Sequence, residues 1–355
     1  MAHLNVLITG GCGFIGSSLA VALAGRGHTV TVFDNLARRG SELLLRRVLA
    51  CGCAFQHGDI RNPEDLHRLR APFEVMLECS AEPSVLVGTQ GADARFMIRN
   101  NLEGAANCFE VARERGAAVL FLSTSRVYPY TTINACEFRE GPTRFELACE
   151  APGITRQGVA TSFPLSGARS LYGATKLAAE LLLQEYSAQY GVPAIINRCG
   201  VVAGPWQLGK VDQGVFTYWL VSHYFNKPLA YIGFGGSGKQ VRDLLHVDDL
   251  AELVAAQIAA IGRFRGEVFN VGGSAEVSLS LAEATELCRQ ITGRRLEIGR
   301  VPENRPADVI WYITDNGNTA EVFQWRPRRG AAQILTDTFN WLREHEAEFR
   351  EVFGA

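Results

Sequence analysis

Charge of one sign is almost absent as an excess: acidic and basic residues nearly cancel, leaving a formal net charge of -2. That balance gives no electrostatic footprint for a nucleic-acid or anionic-membrane partner. No Cys-x-x-Cys pair occurs among the nine cysteines. The one close pair, Cys51-Gly52-Cys53, cannot build a metal site alone. An odd, scattered set predicts reduced and mostly buried thiols in a cytoplasmic chain, with no metal. Internal repeats, low-complexity runs and long polar tails are also lacking. From Leu4 to Gly25 there is no charged residue, yet the basic start of a signal peptide is missing. Gly10, Gly11, Gly13 and Gly16 beside Thr9, Ser17 and Ser18 do not suit a membrane helix. A buried strand, a tight loop and a buried helix account for the stretch.

What is present is enough chain for one large α/β domain and a smaller one: 355 residues, 47% hydrophobic and 20% charged. Apolar runs at Asn5–Thr9, Thr29–Phe33, Cys53–His57, Phe73–Cys79 and Ala117–Ser123 read as strands. Helical patterns fit between them at Phe14–Ala24, Glu42–Ala50, Pro63–Leu69 and Ala92–Arg115. This alternation predicts a doubly wound parallel sheet covered on both faces. From Pro129 to Arg169 the pattern breaks, with Pro142, Pro152 and Pro164, and the stretch reads as a long functional loop. A helix from Leu171 to Tyr190 and a strand at Val192–Arg198 follow. Beyond Gly204-Pro205 come an amphipathic stretch at Val215–Phe225, strands at Leu229–Ile232, Gln240–Leu245 and Glu267–Val271, and helices at Asp248–Ile261 and Leu279–Thr292. The expected division is a first domain over 1–200, rejoined at about 240–272, and a smaller C-terminal α/β lobe over 201–239 and 273–355.

Gly10-x-x-Gly13-x-x-Gly16 follows the first strand and opens the first helix. One glycine permits the tight turn, one lets the backbone approach a pyrophosphate, and the third lets helix and strand pack closely. The N–H groups at the helix start attract phosphates. Strand, glycines and helix together predict a Rossmann-type dinucleotide site. Asp34 ends the second strand, where a carboxylate bonds ribose hydroxyls and repels a 2′-phosphate, favouring NAD over NADP. Phe14 and Ile15 at the helix start and Asn35 beside Asp34 join the cofactor candidates. Asp59-Ile60, after the third strand, is placed to contact adenine; Asp59 as a helix cap ahead of Pro63 is the alternative.

Tyr172-Gly-Ala-Thr-Lys176 lies at a helix start, and four residues place both side chains on one face. An ammonium beside a phenol favours the phenolate and lowers its pKa from about 10. Such a phenolate takes the proton from a hydroxyl as the carbinol is oxidised. Ser123-Thr124-Ser125 follows an apolar strand at the sheet edge where ligands bind in such folds.

The glycine spacing, the Tyr-x-x-x-Lys pair and the chain length resemble the extended branch of the short-chain dehydrogenase/reductase superfamily. The resemblance makes Thr124, four residues before Tyr128, the hydroxyl that bonds the reacting oxygen. It adds Ser123 and Asn101 to the cofactor candidates beside Tyr172 and Lys176. Ser125 and Arg126 stand where related dehydratases carry Asp and Glu for elimination, and related decarboxylases also carry Glu at the position of Arg126. Arg242, in GKQVRDLLHVDDL, and Arg305 match positions that grip a substrate diphosphate in this family. FDNLARRG, GDIRNPEDL, STSRVY with EGPTRFE, and Asp212-Gln213-Gly214 are similar to the CDP-paratose 2-epimerase (CDP-tyvelose epimerase) group. That resemblance implies NAD-dependent C2 inversion of a CDP-sugar through a transient keto-sugar, with Thr124, Ser125, Arg126, Gln213, Arg242 and Arg305 on the substrate, in a homodimer or tetramer. A UDP-hexose 4-epimerase and a non-catalytic NAD-binding scaffold are the competing readings. Departures from the family pattern fall at Leu77-Glu78-Cys79-Ser80-Ala81, Pro129 and Gly200-Val201.

Overall fold

Short apolar runs bounded by glycine and aspartate turns become the strands of a seven-stranded sheet. The computed structural model describes residues 3–85, 93–208 and 214–353. They divide into two compact units, the first built from 1–127, 171–198 and 250–269 and the second from 128–170, 199–249 and 270–355. The expected boundaries therefore move. Residues 128–170 and 240–249 belong with the second unit; Tyr128 donates to Asn270 at 2.7 Å and Asn134 to the Asp308 carbonyl at 2.9 Å, partners from the later chain.

The sheet uses β1 (Asn5–Thr9), β2 (Thr29–Asp34), β3 (Ala54–His57), β4 (Val75–Glu78), β5 (Ala118–Thr124), β6 (Ala194–Cys199) and β7 (Arg265–Val271). Their order is β7-β6-β5-β4-β1-β2-β3. The run from β5 through β4, β1 and β2 to β3 is parallel. Helices α1 (Phe14–Ala24), α2 (Ser41–Ala50), α3 (Pro63–His67), α4 (Gly104–Glu114), α5 (Leu171–Tyr190) and α6 (Val247–Ala260) supply crossovers and cover. The strand order turns back between β1 and β4, where Thr9 and Glu78 end in register. A crevice outside the carboxyl ends of the strands at such a reversal is where open α/β sheets bind ligands.

Alternation along each strand builds the core. Leu7, Phe33, Met76, Val119, Phe121 and Ile196 pack against Leu66, Phe109, Ala179 and Leu183 from the helices. Phe109 meets Phe121 edge-on at 5.4 Å between centroids. The helix expected over 92–115 is instead three pieces: Ala94–Ile98 behind an Asp93 cap, one π-helical turn at Arg99–Glu103, and α4. Ala92 lies outside the described residues. A π turn inside a helix often marks a functional site, and this one carries Asn101.

The second unit has a four-stranded sheet. In it Val241–His246 pairs with Val201–Ala203, Ser278–Ser280 and Trp311–Tyr312. Helices Val215–Tyr224, Leu281–Thr292 and Ala331–Glu344 share its core around Phe216, Leu220, Leu244, Cys288 and Ile334. Ser280 and Glu283 form a reciprocal capping box at the start of Leu281–Thr292. The long loop expected over 129–169 is ordered: a helix at Tyr130–Asn134 and two hairpins, Phe138–Glu140 with Phe145–Leu147 and Ile154–Thr155 with Gly158–Val159. Pro142 and Pro152 fall in turns, and strands of two or three residues carry too little periodicity to read from sequence. Arg144 ties the first hairpin to Glu283 (2.8 Å) and Ser278 (3.0 Å). Among the described residues no helix is long and apolar enough to cross a membrane.

Candidate active site

The first unit gathers the expected cofactor and catalytic residues along the carboxyl edge of its sheet. Gly10 turns at φ +64°, and a Cβ there would lie 2.8 Å from the Ser80 Cα, so the loop after β1 rests directly on the segment after β4. A Cβ on Gly16 would stand 2.3 Å from the Gly10 carbonyl oxygen, which is why helix and loop close only with glycine at that point. Gly13 precedes α1, which begins at Phe14 and Ile15 with no side-chain cap and no acidic residue in its first turn. That start suits an anionic pyrophosphate.

Asp34, at the end of β2, accepts the Cys12 amide at 3.0 Å and the Leu36 amide at 2.8 Å. Burial pushes its carboxyl above the usual range, and those amides oppose the shift. The adjoining Cys12 thiol is pushed up to about 12, by burial first and by Asp34 second, which keeps it protonated. Asn35 donates to Asp59 at 2.9 Å. Arg61 chelates Asp59 through its backbone and guanidinium and holds that carboxyl well below the ordinary range. Asp59 thus anchors the loop after β3 and does not cap the helix at Pro63, whose N-cap is Asn62. Ile60 buries its side chain in the core, beneath Gly104. Its carbonyl accepts the Asn107 side-chain amide at 2.8 Å. Asn101 commits both amide atoms to the Glu82 backbone, accepting N–H at 2.8 Å and donating to C=O at 3.0 Å, and so braces the chain leaving β4.

Tyr172 and Lys176 occupy successive turns at the start of α5, and both are buried. Lys176 is 1% exposed. Its Nζ lies 3.9 Å from the Phe121 ring centroid and 3.5 Å from Glu78 Oε2. β5 ends in Ser123 and Thr124, and a short 3₁₀ turn, Ser125–Val127, follows. The Thr124 hydroxyl accepts the Arg126 amide at 3.2 Å. Ser123 donates its hydroxyl to Glu180, which also takes a bidentate grip from Arg198, with Nη2–Oε2 at 2.7 Å. Ser123 therefore belongs to an inner hydrogen-bond network. Ser125 and Arg126 are half-buried.

Two features here escaped the sequence. Glu78 was visible only as a departure, and its pairing with Lys176 was not. The buried set Ser123–Glu180–Arg198 was missed altogether. Its one signal is that Glu180 falls four residues after Lys176, on the face of α5 that otherwise turns inward.

The two expected diphosphate arginines lie in the second unit. The Arg242 guanidinium donates to Asp308 Oδ1 at 2.7 Å, to the Val309 carbonyl at 2.7 Å and to the Val241 carbonyl at 2.7 Å. Arg305 is half-buried, and its carbonyl accepts the Asp308 amide at 3.3 Å. Asp308 thereby joins the Arg305 segment to Arg242. Gln213 lies outside the described residues.

Residues 6–272 match the family model described as the NAD dependent epimerase/dehydratase family. A CDP-paratose 2-epimerase of Salmonella typhi is 28% identical over 348 residues, 95% of this chain and 99% of that one. A UDP-glucose 4-epimerase of Neisseria gonorrhoeae is 26% identical over 98% of this chain and 99% of its own. Among solved structures, the UDP-glucose 4-epimerase of Thermus thermophilus in complex with NAD is similar at a TM-score of 0.76 and 28% identity. It covers 96% of this chain and 99% of that one.

Proposed function

The chain belongs to the NAD dependent epimerase/dehydratase family, and from that premise we propose that it is an epimerase of a nucleotide-diphosphate sugar, inverting C2 of a CDP-linked sugar. NAD, the cofactor of this family, supplies a hydride acceptor and donor when bound. Gly10, Gly13 and Gly16 with Phe14 and Ile15 would hold its pyrophosphate. Asp34, with Asn35, would hold the adenosine ribose, and the loop of Asp59 and Ile60 would flank the adenine. Ser123 and Asn101 would shape the nicotinamide end.

Every other part of the chemistry falls to side chains of this chain. The Tyr172 oxygen takes the proton of the sugar hydroxyl when the carbinol is oxidised, and returns it when the keto-sugar is reduced from the opposite face. Lys176 stabilises the phenolate from one turn away. Thr124 donates a hydrogen bond to the reacting oxygen. Arg242 and Arg305 bind the substrate diphosphate through charge-assisted hydrogen bonds. In this assignment Asp308 holds the Arg242 fork in a fixed orientation.

The observation that carries an epimerase reading over a dehydratase one is the pair Ser125-Arg126 directly after Thr124. Elimination of water needs a carboxyl acid and a carboxylate base at the sugar, and neither position supplies one. Inversion by oxidation and reduction needs only the phenol, the ammonium and the hydroxyl. The 26% identity to a 4-epimerase favours a UDP-hexose as the second reading. The test incubates the NAD-loaded protein with a panel of CDP- and UDP-sugars and resolves products by NMR, beside Tyr172→Phe. C2 inversion of a CDP-sugar, with no solvent deuterium at the inverted carbon, is expected. The variant should fall by roughly 10²–10⁴-fold. C4 inversion of a UDP-sugar selects the second reading. A dehydrated product, or a Tyr172→Phe enzyme of undiminished rate, refutes the assignment.

A further inference from the structure

One charged group of the first unit has no part in the proposed reaction. β4 sends Met76 into the core under α4 and α5, and two residues on Glu78 occupies the same face. It ends in register with Thr9 of β1 and Phe121 of β5, in the middle of the sheet. Its side chain is fully buried. Oε1 accepts the Ser80 amide at 2.9 Å. Oε2 makes no hydrogen bond and stands 3.5 Å from the Lys176 ammonium. Carboxylates at such a place are not made by chance packing: burying one without a partner costs several kcal/mol, and the partner is the lysine assigned to the phenol.

We propose that Glu78 is a positioning residue that sets the effective charge of Lys176, and through it the pH at which Tyr172 gives up its proton. The inference rests on the reading of Tyr172 and Lys176 as the acid–base pair. Lys176 favours the phenolate because it is a cation one helical turn away. A carboxylate within 3.5 Å of that cation turns it into one end of a dipole, and the phenol then feels less than a full positive charge. Phe121, whose ring lies 3.9 Å from Nζ, attracts the ammonium but adds no titratable group.

The remaining neighbours do not substitute for Glu78. From α4, the Cys108 thiol faces it and is held well above its usual range, by burial and then by the charge of Glu78, so it stays neutral. Thr9 from β1 is uncharged. On the next turn of α5, Glu180 is already matched by Arg198 from β6 and by Ser123 from β5. Burial pushes the Glu78 carboxyl up while Lys176 pulls it down.

The test follows the phenol itself, so it needs no substrate. NAD-loaded protein is titrated with pH by its near-ultraviolet phenolate absorbance. Subtracting the curve of Tyr172→Phe isolates Tyr172 from the other tyrosines. If that subtraction leaves no step, Tyr172 does not titrate as assigned and the underlying reading fails, separately from the role of Glu78. With the step in hand, Glu78→Gln removes the charge and keeps the shape. The Tyr172 midpoint should fall by about one pH unit, the effect of a unit charge roughly 8–10 Å away at an effective dielectric constant of about 20. Glu78→Leu should shift it the same way, and Glu78→Asp should hold it near the wild-type value. An unchanged midpoint in either folded charge-free variant overturns the proposal. So does a failure of both to fold while Glu78→Asp folds, because that outcome assigns Glu78 to structure alone.

Discussion

Replacing Glu180 by alanine perturbs a buried ion pair of the first unit. Side-chain exposure is 6% for Arg198 and 2% for Glu180. The guanidinium reaches the carboxylate through Nε at 3.1 and 3.2 Å and Nη2 at 2.7 Å. Taking away the carboxylate strands a cation that has almost no water around it, and losing one partner of such a pair costs about 3–5 kcal/mol. The Ser123 hydroxyl also loses its acceptor, which adds about 1 kcal/mol. Denaturant unfolding monitored by far-ultraviolet circular dichroism reads the sum, an unfolding constant raised by about 10³-fold or more. The double variant Glu180→Leu/Arg198→Met removes both charges and fills the same volume with apolar atoms. It should recover most of the loss, because a well-packed apolar pair is often as stable as a buried salt bridge. A Glu180→Ala protein within about 1 kcal/mol of wild type, or a double variant as unstable as the single one, refutes the argument that the charge, and not the shape, is at stake.

Asp34→Asn keeps one acceptor oxygen, enough for the Cys12 or the Leu36 amide but not both, and removes the charge that repels a 2′-phosphate. The preference for NAD over NADP, measured as a ratio of dissociation constants by fluorescence quenching, should narrow by about 10-fold; an unchanged ratio refutes Asp34 as the discriminator. In the second unit, burial raises the Asp243 carboxyl from 3.8 to about 6. The folded chain then keeps a proton that the unfolded chain has lost, so stability is full below 3.8 and falls as pH rises through about 6. Two units at about 1.4 kcal/mol each give roughly 3 kcal/mol. Asp243→Asn should flatten that slope in denaturant midpoints taken from pH 4 to pH 8, and a slope equal to wild type refutes it.

The parts of this protein that are legible in the sequence are those whose geometry is local. Gly10, Gly13 and Gly16 specify a turn within six residues of one another, and Asp34 ends a strand whose apolar run is continuous, so loop, strand and acidic residue all stand where expected. Tyr172 and Lys176 are fixed by the helical repeat alone. Long-range pairing left no such trace. The hairpins of 138–159 consist of two- and three-residue strands, too short to show a period, and they are held by partners such as Glu283 that come much later in the chain. Asn101 is singled out by the family resemblance and not by its own pattern, and a π turn points it at the Glu82 backbone. Glu78 and Lys176 meet only because β4 and α5 are neighbours in the folded unit.

That last pairing bears on the choice between inversion and elimination. A dehydratase needs a carboxyl group that reaches the sugar, and among the described residues two buried glutamates other than the absent pair after Thr124 lie at α5. Glu78 is wholly buried, with one oxygen on the Ser80 amide and the other facing Lys176. Glu180 is saturated by Arg198 and Ser123. Each is spent inside the first unit, where neither a substrate hydroxyl nor water has access to it. On the proposed assignment, a proton moved at the sugar travels through the Tyr172 oxygen, with Thr124 as the hydrogen-bond donor. In that same assignment, one proton carrier and one redox cofactor suffice for oxidation followed by reduction, with the sugar turning over between the two steps.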